Sequence, residues 1–292
     1  MSAAVSPQRV AIIGVGLIGG SLGQALRQRG DRVLGIARNP RTLRQAKRCG
    51  AIDEGSLDLA SASRADVVVI ATPIRSVLPI IEKLLPNLKS GTLVTDAGSV
   101  KGPIVSGVCS LRWPENVFFT GSHPLAGSHR TGVEAARADL FEGSTCVIVP
   151  VHSRATLGIE RLWKSVGART RRMNAAAHDQ AVAVTSHLPH LIAQALARSV
   201  IRRPDRRVLE NLVASSFMDM TRIAASDPKL WIQIFQENEA PLLRALSGFE
   251  DSLRSLARQI PKDSLAKELG AAKRFREMLF KKRNKKRSQL SS

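Results

Sequence analysis

Short apolar runs recur along the first 150 positions, and stretches with helical spacing separate them. Val10-Ala11-Ile12-Ile13 precedes a helix-compatible segment from Ser21 to Gln28. Arg32–Ile36, Asp66–Ala71, Thr92–Asp96, Val117–Thr120 and Thr145–Val149 repeat the strand pattern, with helices predicted over 40–49, 74–85 and 102–111. The run Val67-Val68-Val69-Ile70 is apolar throughout, as a parallel strand covered on both faces must be. A further helix and strand fall near 154–166 and 168–173. Strands alternating with helices predict an α/β fold, an N-terminal Rossmann-type doubly wound parallel sheet over residues 1–174.

Strand patterns stop at Asn174. Helical spacing then covers Ala175–Ser199, Glu210–Ala225, Trp231–Leu246, Phe249–Ile260 and 264–280, an all-α C-terminal domain over 175–280. Pro189 is expected to kink or divide the first of these helices. Ser226-Asp227-Pro228 supplies a cap residue and a proline suited to a first helical turn.

The formal charge is +20, and its densest part is Lys281-Lys282-Arg283-Asn284-Lys285-Lys286-Arg287. No aromatic residue interleaves this run, so 281–292 is expected to be a solvated, disordered tail, and nucleic acid is not the expected partner. Charge spread along the chain raises the local concentration of an anionic substrate. No apolar stretch nears the roughly 20 residues of a membrane span, and MSAAVSPQRV is too short and polar for a secretory signal. Cys49, Cys109 and Cys146 are widely spaced, without CxxC or Cys/His metal spacing, and read as reduced thiols of a cytoplasmic protein that holds no metal.

Gly14-Val15-Gly16-Leu17-Ile18-Gly19 sits between a predicted strand and a predicted helix, the context in which G-x-G-x-x-G binds a dinucleotide. Gly14 permits the tight turn, Gly16 admits the pyrophosphate and Gly19 lets helix and strand pack closely. Leu17 and Ile18 within this loop are counted with the cofactor-binding residues, and the N-terminus of the helix that follows offers free amides to the phosphates. Ligands of such sheets bind beyond the carboxyl ends of the strands, which here carry Ala37-Arg38, Thr72-Pro73, Gly98-Ser99 and Ser122-His123. Gly35-Ile36-Ala37-Arg38-Asn39-Pro40-Arg41 has no carboxylate for ribose hydroxyls, whereas Arg38 suits a 2′-phosphate, so NADP is favoured over NAD. Among six histidines, His123 alone ends a predicted central strand, where a base near neutrality serves hydride transfer from an alcohol.

Gly14–Gly19, Asp96-Ala97-Gly98-Ser99-Val100-Lys101 and Ser122-His123-Pro124-Leu125-Ala126-Gly127-Ser128 together resemble the prephenate/arogenate dehydrogenase family of tyrosine biosynthesis. Gly132-Val133-Glu134, Leu140-Phe141, Ser186-His187-Leu188-Pro189-His190, Asp219–Ala224, Asp227-Pro228 and Trp231 extend the likeness, which runs from about residue 8 to 245. The resemblance implies oxidative decarboxylation of a cyclohexadienyl carbinol. By similarity His123 takes the ring hydroxyl proton and Ser99 contacts the same hydroxyl. Arg222 binds a substrate carboxylate, His190 makes a second substrate contact and His187 helps to position it. Thr72, Pro73 and Lys101 fall on the cofactor side, and a homodimer built on the helical domain is implied.

Residue chemistry alone leaves other roles open. Ser99 is a possible helix cap, His187 and His190 share a helix face as core histidines would, and Arg222 can pair with Asp219. Prephenate carries a keto side chain and arogenate an ammonium, and the stretch Ser128-His129-Arg130-Thr131 offers no acid before Glu134. That basic lining favours prephenate, with arogenate as the alternative. A β-hydroxyacid dehydrogenase would need a lysine within a long helix of the second half, and Lys229 follows a cap instead. A non-enzymatic NADPH sensor, or a nucleic-acid binder using the basic tail, would bind cofactor without turnover.

Overall fold

The computed structural model describes residues 8–127 and 130–288, with side chains as far as Lys282. Eight strands form one sheet in the order β3-β2-β1-β4-β5-β6-β7-β8. They are β1 (Arg9–Ile13), β2 (Arg32–Ile36), β3 (Glu54–Ser56), β4 (Val67–Ile70), β5 (Leu93–Asp96), β6 (Phe118–Pro124), β7 (Thr145–Pro150) and β8 (Arg169–Arg172). Successive residues of β1 point to opposite faces, and each face has its own core. Val10 and Ile12 pack with Leu22, Leu26 and Trp163, whereas Ala11 and Ile13 pack with Val77, Ile81 and Ile104. The first core lies under helices α1 (Leu17–Gln28), α2 (Pro40–Arg48) and α5 (Ser153–Ser165), the second under α3 (Ile74–Leu84) and α4 (Gly102–Ser110).

All pairings are parallel except that of β6 with β7, so the expected parallel sheet carries one antiparallel joint. That joint also explains why β6 outruns its apolar core. Gly121, Ser122 and His123 have weak strand propensity, yet they pair in register with Val149, Ile148 and Val147 of β7. His123 therefore sits within a paired strand, beyond the short parallel ladder of β5 and β6 at Leu93↔Phe118 and Val94↔Phe119. Strand β3 has no apolar run and is invisible to patterning; it forms because Leu34–Ile36 offers an open edge.

Gly14 has φ +92, and a Cβ there would stand 2.6 Å from the Ala71 carbonyl oxygen. A Cβ on Gly19 would meet the Gly14 oxygen at 2.1 Å, so helix α1 touches the loop it leaves, while Gly16 faces open space.

Between β8 and Asn238 the described residues form helices α6 (Ala175–Val182), α7 (Leu188–Ile201), α8 (Arg206–Glu210), α9 (Ser215–Thr221) and α10 (Pro228–Glu237). The chain divides by compactness into residues 1–238 and 239–292. Trp231, Ile234 and Phe235 of α10 join the second core, and Arg75 on α3 donates to Glu237 at 2.6 Å. The break expected at Pro189 lies just before it, in a wide turn over Ala183–His187. Proline at the second position of α7 has no amide to return to the preceding turn, and the looser i→i+5 winding absorbs that loss.

The expected helix Glu210–Ala225 is divided into α8, α9 and a 3-10 turn at Arg222–Ala225. The second unit holds α11 (Glu239–Gln259) and α12 (Leu265–Ser288). Helix α12 continues through 281–288, where a disordered tail is expected from composition. Lysine and arginine are strong helix formers and their charge is favourable near a helix C-terminus, so the run extends the helix. The rest of that segment, 289–292, lies outside the described residues. No helix among the described residues is long and apolar enough to cross a membrane.

Gly23 and Gly16 separate stability from ligand binding. A Cβ on Gly23 would stand 2.0 Å from the Ala51 oxygen, so Gly23→Ala is expected to cost about 2 kcal/mol or more, read by chemical denaturation. Gly16→Ala is expected to leave the denaturation midpoint nearly unchanged while weakening dinucleotide binding, read by titration calorimetry.

Candidate active site

Strand order reverses between β1 and β4, and the crevice beyond their carboxyl ends is where a doubly wound sheet binds its ligand. The loop Gly14–Gly19 and the pair Thr72-Pro73 meet there. A Cβ on Gly14 would lie 2.9 Å from Thr72 Cγ2. Gly16 caps α1 without any side-chain hydrogen bond, and no acidic residue occupies the first turn. Thr72 Oγ1 is buried with no protein partner. An open glycine cradle, uncapped helix amides and an orphaned hydroxyl fit the pyrophosphate of a dinucleotide. Arg38 follows β2, is exposed, and makes no ion pair among the described residues. Asn39 next to it accepts from the Arg41 amide at 2.8 Å and thereby starts α2.

Further along the sheet, one carboxylate organises the chemistry. Asp96 at the end of β5 and Lys101 are both fully buried and form an ion pair. Asp96 Oδ2 also accepts the Gly98 amide at 2.8 Å, and Oδ1 accepts the Ser122 amide at 3.4 Å. The residues immediately before Ser99 and before His123 are thus fastened to the same side chain. Ser122 Oγ donates to the Asp96 carbonyl at 2.5 Å and accepts from the Trp163 indole at 2.9 Å. Lys101, expected on the cofactor side, is enclosed behind the strand ends instead.

His123 is half-buried, and its Nδ1 lies 2.8 Å from Nε2 of His178 on α6. Burial above all, with the His178, Lys101 and His187 side chains close by, holds His123 well below the usual imidazole range, so the ring is neutral at pH 7. Nδ1 of His178 lies 2.7 Å from Oδ1 of Asp179. The Asp179 carboxylate also accepts the amides of Lys101 at 2.8 Å and Gly102 at 2.7 Å. Helix α4 is therefore capped from α6, and the capping role open to Ser99 is filled by Asp179. The Ser99 side chain is half-buried and makes no hydrogen bond among the described residues.

His187 and His190 are each 1% exposed. Nδ1 of His187 lies 3.0 Å from the Asn238 amide nitrogen, which donates at 2.9 Å to the Asp179 carbonyl. His190 stacks on Trp231 with ring centroids 3.5 Å apart, and its Nε2 is buried with no partner. Beside it opens a cavity of about 800 Å³ lined by Arg130, Arg137, Ser186, His190, Arg222 and Trp231 among others. Arg222 is exposed at the α9 boundary rather than mid-helix, and no ion pair joins it to Asp219 among the described residues. The structure brings His190 and Arg222 to one cavity, with His187 behind it against Trp231. His123 stands apart from that lining, linked through His178, and Ser128 and His129 lie outside the described residues. His178, Asp179, Trp231 and Asn238 have no role assigned from residue chemistry. Only the adjacency His178-Asp179, a base next to an acid in an alanine-rich helix start, was a visible signal.

A dinucleotide cradle with a neutral histidine at a strand end defines a nicotinamide-dependent oxidoreductase. Comparison with known proteins carries this further. Residues 22–172 match the family description "Prephenate dehydrogenase, nucleotide-binding domain", and residues 174–278 match "Prephenate dehydrogenase, dimerization domain". The chain belongs to the prephenate dehydrogenase family. It is 32% identical over 266 residues to a prephenate dehydrogenase of Lactococcus lactis, covering 89% of this chain and 74% of that protein. A structure of prephenate dehydrogenase from Aquifex aeolicus, in complex with hydroxyphenyl propionate and NAD+, is 34% identical with a TM-score of 0.86, covering 94% of this chain and 99% of that one. A Synechocystis arogenate dehydrogenase structure is 30% identical with a TM-score of 0.80, covering 93% and 99%.

Burial holds both His187 and His190 down to about 4. The unfolded chain binds protons at these rings from about 6.5 downward while the native fold does not, so stability falls as pH drops from about 6.5 towards 4. Melting temperatures across this window are expected to decline. Replacing His190 by Phe, which keeps a ring against Trp231, is expected to flatten part of the decline.

Proposed function

We propose that the chain catalyses NADP-preferring oxidative decarboxylation of prephenate to 4-hydroxyphenylpyruvate. The observation that carries this reading is the neutral imidazole of His123, engaged through Nδ1 and with no hydrogen bond at Nε2 among the described residues. Bound nicotinamide supplies the hydride acceptor. As hydride leaves the carbinol carbon, His123 takes the hydroxyl proton; loss of the ring carboxylate as CO2 then aromatises the ring, and the proton returns to the phenolate oxygen. Ser99 contacts the same hydroxyl, Arg222 pairs with a substrate carboxylate through its planar fork, and His190 adds a contact from the cavity wall. His187 supports that wall from behind. Aromatisation drives the reaction, so the protein chiefly orients the substrate and removes a proton.

Prephenate is preferred to arogenate because the described lining of the cavity includes Arg130, Arg137 and Arg222 and no carboxylate. Such a wall attracts a dianion and gives an ammonium group no partner. NADP is preferred to NAD because Arg38, just beyond β2 and beside the cradle for the pyrophosphate, is exposed, makes no ion pair among the described residues, and suits a ribose 2′-phosphate. The boundary near 174 divides a cofactor half from a substrate half, and the enzyme works in the cytoplasm as a homodimer. Exposed Leu243, Leu253, Leu256 and Ile260 on and just after α11 support a subunit interface.

The test follows reduced-cofactor absorbance with prephenate and arogenate, each with NAD and NADP. Turnover is expected with prephenate and NADP above the other combinations; cofactor binding without any turnover would favour a sensor. His123→Asn is expected to lower kcat by about 10²- to 10⁴-fold. Arg38→Ala is expected to raise the KM for NADP roughly tenfold or more and that for NAD by less than about twofold, since a charge-assisted bond is lost only with the phosphate. Equal effects on the two cofactors would overturn the NADP preference.

A further inference from the structure

The two nitrogens of His123 are not equivalent, and the side chains behind the ring determine which of them carries the proton. Asp179 is a carboxylate that accepts from three directions: the amide of Lys101 at 2.8 Å, the amide of Gly102 at 2.7 Å, and the ring of His178 at 2.7 Å. A carboxylate engaged in this way is acceptor only, so Nδ1 of His178 is the donor in that contact. A neutral imidazole has one donor nitrogen and one acceptor nitrogen. Nε2 of His178 is therefore the acceptor, and at 2.8 Å its partner, Nδ1 of His123, donates. The rings meet edge to face, with centroids 5.0 Å apart and planes at 75°, as an in-plane N–H aimed at a lone pair requires.

We propose that His178, backed by Asp179, is the positioning residue that keeps the His123 proton on Nδ1 and leaves Nε2 as the base. The proposal rests on the reading of His123 as the group that takes the substrate proton. Free imidazole in a side chain does not hold this tautomer unaided, because which nitrogen is protonated follows the hydrogen bond the other makes. The pair also serves the moment of transfer. When Nε2 gains the proton, the new positive charge lies one ring away from the Asp179 carboxylate. The groups facing His123 are His178 from α6, Lys101 at the start of α4 and His187 before α7, with Asp96 paired to Lys101 and Asp179 behind His178. Burial and the Lys101 ammonium disfavour a charged His123, so Asp179 is the anion that offsets them through His178. Because Asp179 also caps α4, it places His178 and the loop carrying Ser99 from a single carboxylate. No substrate contact is assigned to either residue.

Selective ¹⁵N-histidine labelling tests this on the ligand-free, full-length enzyme near pH 7. The His123 signals are assigned by their loss in His123→Asn, and two-bond ¹H–¹⁵N correlations report which nitrogen bears the proton. Wild type is expected to carry it on Nδ1. In His178→Leu the proton is expected to move to Nε2, and kcat to fall about 10- to 100-fold while KM changes less than about threefold. His178→Gln, whose amide oxygen accepts from Nδ1, is expected to restore the tautomer and most of kcat. A His123 proton on Nε2 in wild type would overturn the proposal, and needs no variant to fold. So would a His178→Leu enzyme that loses activity with its tautomer unchanged, or that keeps full kcat. Retained turnover in His123→Asn would instead overturn the reading of His123 as the base while leaving the tautomer result standing.

Discussion

Two carboxylates removed from water constrain everything around them. Asp96 is fully buried, so it must be met by a cation and by hydrogen-bond donors wherever the chain places it. Lys101 supplies the charge, and the amides of Gly98 and Ser122 supply donors. Satisfying one side chain thus draws the end of β5, the start of α4 and the extension of β6 into a single arrangement. Removing either partner would leave a stranded charge, a loss of about 3–5 kcal/mol for a buried pair. The strand end that carries His123 is held in place because the alternative is an unpaired ion in the interior.

Asp179 repeats the device from the helical side. It closes the open end of α4 and holds His178, so α6 is attached to the sheet by its carboxylate as well as by packing. Asn238 extends this network, linking the Asp179 carbonyl to His187. These bonds explain why the helices up to residue 238 belong with the sheet in one compact unit. They also explain the interruption at Asn238, where a continuous helix would pull that amide out of its contacts. A buried amide with two acceptors to serve is a local constraint stronger than helix propensity.

Electrostatics divides the site into two kinds of environment. Around His123, burial above all and the Lys101 ammonium keep the imidazole neutral and so free to accept a proton at physiological pH. Around the cavity, the lining includes the exposed arginines Arg130, Arg137 and Arg222, and His123 is not part of it. On the proposed reading, proton removal and substrate capture fall to separate groups, one half-buried and one solvated. Among the described residues, Nε2 of His190 and the hydroxyl of Thr72 are buried polar atoms without a partner, one beside the cavity and one beside the glycine cradle.

Much of this architecture was legible along the chain. Strand positions follow from apolar runs, because a strand buried on both faces has no room for polar residues, and the glycine cradle follows from backbone sterics that only Gly14 and Gly19 satisfy. His123 stood out for the same reason: a titratable ring at a strand end is costly unless it has a partner. Only the tertiary structure supplied that partner. His178 lies 55 residues away, and nothing in local spacing announces that α6 crosses behind β6. The strand β3, the extension of β6 to Pro124 and the exposed setting of Arg222 were likewise decided by pairing and packing between distant segments. Sequence determines which residues must be buried or turned; which of them then meet depends on how distant elements close over one another, and the contact of His123 with His178, and through it with Asp179, is such a meeting.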